Sequence, residues 1–205
     1  MTQHVEHARV GIPPWLPNAL TVLRLVLVPV FVVLLFLHPT DISWRLGATL
    51  AFGVAILTDL FDGKLARRYN LVSDFGKIWD PIADKALTGA AFISLSILGE
   101  LWWWVTIVIL LREWGITWMR VAMLKYEVMA AAAGGKIKTL LQAIALLMFL
   151  PYPIQLTVQF APFWGWLAWL VMGAAFVLTA VTGLMYVRDA LRLRAEAIRA
   201  KSGRS

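Results

Sequence analysis

The sequence contains no cysteine. That excludes disulfide cross-links, thiolate metal ligands and cysteine nucleophiles. Charge is also scarce: charged residues are 15% of the 205 positions and hydrophobic residues 60%, whereas a soluble domain carries about 25% charged residues. No nucleic-acid-binding motif occurs. The net charge of +7 therefore points to anionic lipid and cytoplasmic loops, with no nucleic acid as partner. Met1 to Trp15 is polar and proline-bearing, with no apolar core, so no cleavable signal is expected there. Internal repeats, low-complexity tracts and inter-domain linkers are absent, and residues 1–205 read as a single domain.

What is present is a series of apolar runs of about 20 residues, long enough to cross a bilayer as helices. The expected fold class is an all-α integral membrane protein with six transmembrane helices at about 18–38, 44–67, 80–98, 102–124, 137–156 and 164–187. Residues 1–16 form a cytoplasmic lead-in and residues 188–205 a basic tail, with a helix expected through 188–200. Asn18 is the expected N-cap of the first span. Asp80–Pro81 looks like a helix start, with the acid as cap and proline at the first helical position. Lys and Arg concentrate in the N-terminus, 67–77, 125–138 and the tail, while the alternate loops 39–45, 99–101 and 151–163 hold only Arg45. The positive-inside rule then puts both termini in the cytoplasm.

Four carboxylates stand within 26 residues: Asp59 and Asp62 ending the second span, Asp80 and Asp84 opening the third. The i,i+3 and i,i+4 spacings place each pair on one helix face, and a short connection between antiparallel helices brings the pairs together. Acids at a membrane boundary are costly and mark a functional site. Four that close cannot all remain ionised alone: some protonate, or divalent cations bind between them. All-oxygen donors favour Mg²⁺, Mn²⁺ or Ca²⁺ over zinc, and a two-metal site polarises a phosphoryl group. Gly63 leaves room for a ligand, Ala66 is small, Arg67 offers a fork to phosphate oxygens, and Gly76 relieves crowding where the third helix begins. Each small residue also fits ordinary helix packing. Arg24, inside the first span, either snorkels to the headgroups or contacts a phosphate.

The spacing D-x2-D-G-x2-A-R-x8-G-x3-D-x3-D, filled by Asp59, Asp62, Gly63, Ala66, Arg67, Gly76, Asp80 and Asp84, resembles the signature of the CDP-alcohol phosphotransferase family. The resemblance implies a six-helix, usually homodimeric membrane enzyme with a cytoplasm-facing polar cavity. Such an enzyme moves a phosphatidyl or related group from a CDP-linked donor to an alcohol and releases CMP. It implies that Asp59, Asp62, Asp80 and Asp84 surround two divalent ions, Mg or Mn, with Asp80 and Asp84 catalytic and Asp84 the base for the acceptor hydroxyl. Asp62, Gly63, Ala66, Arg67 and Gly76 would line the CDP site.

The second half of the chain bears on the acceptor. Pro17–Arg24, Arg112–Glu113 and Gly135-Lys-Ile-Lys-Thr-Leu-Leu-Gln142 resemble the branch of the family that uses sn-glycerol 3-phosphate. That dianion needs cations beside the metals. Lys136 and Lys138 lie at a helix start, where the helix dipole also favours an anion. Glu113, Thr117 and Arg120 share one stripe, and Arg112 lies beside it and should face the cavity or pair with an acid. The expected reaction joins CDP-diacylglycerol to sn-glycerol 3-phosphate at the cytoplasmic face of a bacterial plasma membrane, among membrane lipids. Phosphatidylglycerol or inositol phosphate as acceptor, or remotely a cation transporter, are the alternatives.

Overall fold

The computed structural model describes residues 13, 15–69, 74–123, 134–151 and 161–202, without the side chains of 17, 60–69, 74–78, 120–123, 134–136, 161 and 194–202. The described residues form six helices: α1 Leu16–Leu37, α2 Ile42–Tyr69, α3 Asp74–Ile97, α4 Trp103–Met123, α5 Gly134–Phe149 and α6 Ala161–Ser202. The all-helical expectation holds.

Several boundaries differ from those expected. α1 begins at Leu16 behind Trp15, with no side-chain cap. Asn18 therefore lies inside the first turn and not at the cap position; Pro17 sits in that turn, where a missing N–H leaves no bond unmade. α3 begins at Asp74 and runs through Pro81, so Asp80–Pro81 is not a helix start. The proline forfeits one backbone bond, and the helix continues, keeping Asp80 and Asp84 one turn apart. α5 stops at Phe149, short of residue 156, because Pro151 cannot extend it. α6 runs on through the tail to Ser202; its 42 residues span about 63 Å, twice a hydrocarbon core.

Two turns show why the chain reverses where it does. Asp41 caps α2, its Oδ1 accepting from the N–H groups of Ser43 at 2.8 Å and Trp44 at 3.3 Å. α3 ends in a Schellman motif. Gly99, at φ 74°, donates to the carbonyl of Ser96, and Glu100 N–H reaches back to that of Leu95. That turn aims Glu100 at Arg45 in the first turn of α2. Arg45 is fully buried, and its Nη2 lies 2.5 Å from Glu100 Oε2.

The bundle has two storeys. Near the end holding those two turns, Phe31, Leu35, Phe52, Phe92, Leu95, Ile109, Leu146 and Met172 form one apolar core, with the Phe31 and Phe52 rings 5.5 Å apart. Phe31 follows Arg24 toward the C-terminal end of α1, whereas Phe52 precedes Asp59 in α2, so the two helices run antiparallel and pack along their lengths. The other storey is polar and is described below.

Every helix keeps large apolar side chains on the outside, among them Val26, Leu50, Ile82, Ile107, Leu140 and Leu184. Among the described residues, two helices are long and apolar enough to cross a membrane unaided, Asn18–Leu37 and Pro162–Leu193. α2, α3 and α4 each carry ionisable residues in the polar storey, which lowers their hydropathy. An all-helical bundle with an apolar exterior fits a membrane protein.

Candidate active site

The polar storey is built from all six helices. α1 contributes Thr21 and Arg24, one turn apart and both fully or almost fully buried. They reach two different helices. Thr21 Oγ1 donates to Asp80 Oδ1 on α3 at 2.6 Å, and Arg24 Nη1 lies 2.7 Å from Asp59 Oδ1 on α2. Arg24 therefore does not snorkel to the headgroups, because an acid inside the bundle holds it. Asp84, one turn beyond Asp80, has Asp59, Arg24, Glu113 and Lys138 as its charged neighbours within electrostatic reach. Three of the four predicted acids thus belong to one electrostatic neighbourhood.

Beside it lies a second charged group, on α4 and α5. Glu113 Oε1 accepts from Arg112 Nη1 at 3.2 Å and also from Lys138 Nζ. Lys138 is only 3% exposed, so its charge is compensated inside the protein. Arg112 Nη2 donates to Thr182 Oγ1 of α6 at 2.9 Å, and its guanidinium lies 5.8 Å from the centre of the Tyr186 ring. On the same side, Gln142 Nε2 donates to Thr179 Oγ1 at 2.9 Å. Arg112 and Lys138 both contact Glu113, so Arg112 pairs with an acid that is its own neighbour in the chain.

Several members of this layer were not singled out in the sequence. Lys85 Nζ donates to Thr117 Oγ1 and lies 5.3 Å from the Trp114 ring centre, which ties α3 to α4 directly after Asp84. Thr179, Thr182 and Tyr186 form a polar stripe on α6 at i, i+3 and i+7. That spacing in an otherwise apolar span is a legible signal. Gly183 is the remaining one: a Cβ there would meet Arg112 Cγ at 3.0 Å.

Asp62, Gly63, Ala66 and Arg67 lie on the α2 backbone, Gly76 on α3, Arg120 on α4 and Lys136 on α5, but their side-chain surroundings fall outside the described residues. Among the described residues, no three carboxylates or imidazoles converge on one point as a metal site. The donor chemistry nevertheless fits a hard divalent cation: Asp59, Asp80 and Asp84 offer only oxygen, and two of them are occupied by an α1 hydroxyl and an α1 guanidinium.

Residues 14–188 match the family described as CDP-alcohol phosphatidyltransferase. A Mycobacterium tuberculosis (strain H37Rv) protein named probable phosphatidylglycerophosphate synthase is 47% identical over 86% of this chain and 82% of its own length. The Bacillus subtilis (strain 168) protein named CDP-diacylglycerol–glycerol-3-phosphate 3-phosphatidyltransferase is 36% identical, over 83% of this chain and 92% of its own. An Escherichia coli (strain K12) protein of the same name is 37% identical over 67% and 78%.

Proposed function

The chain belongs to the CDP-alcohol phosphatidyltransferase family, and on that premise we propose that it transfers the phosphatidyl group of CDP-diacylglycerol to sn-glycerol 3-phosphate, forming phosphatidylglycerophosphate and CMP. The relatives named for this reaction support the choice of acceptor. The observation that carries the reading is the adjacency of two charged groups in one buried layer. Asp84 lies within electrostatic reach of Asp59, Glu113 and Lys138, and Asp59 within reach of Asp80, while Lys138 shares Glu113 with Arg112. Acids for metal and pyrophosphate thus stand next to cations for a second, small anion.

Asp59, Asp62, Asp80 and Asp84 would hold the divalent metal, two ions of Mg or Mn. A divalent metal held there would supply charge neutralisation to the pyrophosphate and polarisation to the phosphorus that carries diacylglycerol. Gly63, Ala66, Arg67 and Gly76, with Asp62, line the cytidine diphosphate side. Arg112, Arg120, Lys136 and Lys138 receive the acceptor phosphate. Asp84 takes the proton from the C1 hydroxyl of glycerol 3-phosphate. The C1 oxygen bonds to that phosphorus, and the bond to the bridging pyrophosphate oxygen breaks, leaving with CMP. The apolar exterior lets the acyl chains stay in lipid throughout.

One domain over residues 1–205 carries this activity, with six spans, both termini and the polar storey on the cytoplasmic side of a bacterial plasma membrane, as a homodimer. The Lys and Arg distribution supports that orientation.

The test is an acceptor panel. Purified protein in lipid nanodiscs receives CDP-diacylglycerol and Mg²⁺ with glycerol 3-phosphate, phosphatidylglycerol or inositol phosphate, and the lipid product is identified by mass spectrometry. Phosphatidylglycerophosphate from the first acceptor alone is expected. Turnover only with another alcohol, or metal flux without CMP, refutes the reading.

A further inference from the structure

We propose that Arg24 is the resident counter-cation of the carboxylate site: it neutralises Asp59 while no divalent ion is bound, and it competes with that ion for the site. The proposal rests on Asp59 belonging to the metal-holding set. Three observations lead to it.

Arg24 is completely inaccessible, yet its guanidinium ends 2.7 Å from Asp59 Oδ1, on a carboxylate 40% exposed. A guanidinium stays protonated in any protein environment, so this is a permanent positive charge. Placing it in the interior is worthwhile only where a comparable negative charge needs it.

Thr21, one turn earlier on α1, donates to Asp80 at 2.6 Å. One face of α1 thereby engages one acid from α2 and one from α3, and the two engagements differ in kind. The hydroxyl supplies direction without charge and is compatible with a cation on the far carboxylate oxygen. The guanidinium supplies a full charge at the place where a cation's own charge would act.

Charge balance gives the sign. Four ionised carboxylates against two divalent ions are neutral, and Arg24 is then one positive charge too many until an anionic substrate arrives. Without the ions, Arg24 sets a basic group in direct contact with a signature acid. It thus favours the metal-free protein and disfavours the metal-loaded one.

Mn²⁺ binding to the purified full-length chain, followed by the electron paramagnetic resonance of free Mn²⁺ in the absence of substrate, tests this. Arg24→Gln, purified in Mn²⁺ and then chelated, is expected to bind Mn²⁺ about tenfold more tightly than the parent, since a repelling charge at short range has gone. Its metal-free form should melt lower than the parent, with added Mn²⁺ narrowing the gap. Arg24→Lys, which keeps the charge, should stay within about twofold of the parent. Thr21→Val, which loses direction but no charge, should bind more weakly. Equal or weaker Mn²⁺ binding in Arg24→Gln overturns the proposal, as does tightening by Arg24→Lys to the same extent. Unchanged Mn²⁺ affinity with a raised KM for CDP-diacylglycerol would make Arg24 a substrate-phosphate ligand instead. If the parent itself binds no Mn²⁺, the metal-site reading falls together with this one.

Discussion

Replacing Gly183 by alanine probes the acceptor side without replacing a charged residue. The added Cβ would stand 3.0 Å from Arg112 Cγ, 3.5 Å from its Nε and 3.9 Å from its Cδ. Carbon pairs rest at about 3.5–4.0 Å, so the Arg112 side chain has to retreat by roughly half an ångström. Its far end is held by Thr182 at 2.9 Å and by Glu113 at 3.2 Å. The second bond is already at the limit of about 3.2 Å for N–H···O, so the retreat breaks or reorients it. A hydrogen bond to a charged group contributes about 1.5–3 kcal/mol, while Gly→Ala inside a helix returns up to about 1 kcal/mol. The net loss of stability should be about 1 kcal/mol, small enough for the variant to fold. The acceptor site loses the placement of one cation. With CDP-diacylglycerol saturating and CMP release followed against glycerol 3-phosphate concentration, KM for glycerol 3-phosphate should rise about tenfold, equivalent to about 1.4 kcal/mol. KM for CDP-diacylglycerol should hold. An unchanged KM for glycerol 3-phosphate with a reduced kcat, or a KM change for CDP-diacylglycerol alone, refutes the placement of Arg112 in the acceptor subsite.

Other consequences are independent of that one. Lys138→Met removes a buried cation while Glu113 keeps Arg112; KM for glycerol 3-phosphate should rise about tenfold or more in the same assay, again without a change for CDP-diacylglycerol. At the opposite end of the bundle, Arg45→Met strands the mostly buried Glu100 carboxylate and should cost about 3–5 kcal/mol in detergent unfolding. Arg45→Met combined with Glu100→Met should recover most of that loss. Burial holds the Glu100 carboxyl above its usual range, although its hydrogen bond from Arg45 opposes this. The folded protein then binds that proton at a higher pH than the unfolded chain does. The Glu100 contribution to stability should therefore grow as pH falls through the window between its raised folded value and the ordinary carboxylate value. Melting curves across pH for the parent and Glu100→Gln should converge toward, or cross at, the acid side, the parent gaining relative to the variant.

Much of this was legible in the sequence, and for identifiable reasons. The acids announced themselves because carboxylates next to apolar spans have no cheap structural use. The helices followed from run length, and the pairing of Asp80 with Asp84 from i,i+4 spacing. What sequence reasoning placed wrongly was local. Asn18 and Asp80–Pro81 carry good capping residues, but a helix in this bundle is extended by its packing rather than stopped by the first suitable cap, and Pro81 is accommodated at the cost of one backbone bond. Arg24 illustrates a deeper limit. Snorkelling and internal pairing look the same along a sequence, and only the approach of α2 to α1 decides between them. Arg45 looked like a loop cation, yet the Schellman turn at Gly99 brings Glu100 to it across 55 positions. Gly183 and the Thr179–Thr182–Tyr186 stripe gain their meaning only from Arg112, which lies on another helix.

The central claim concerns which bond forms, and an isotope reads that directly. Glycerol 3-phosphate labelled with ¹⁸O in its C1 hydroxyl is incubated with the protein, CDP-diacylglycerol and Mg²⁺, and both products are weighed by mass spectrometry. The account predicts one CMP per phosphatidylglycerophosphate, with all of the ¹⁸O in the new phosphodiester and none in CMP. Label in CMP, or CMP released with phosphatidic acid in place of the labelled lipid, would contradict it.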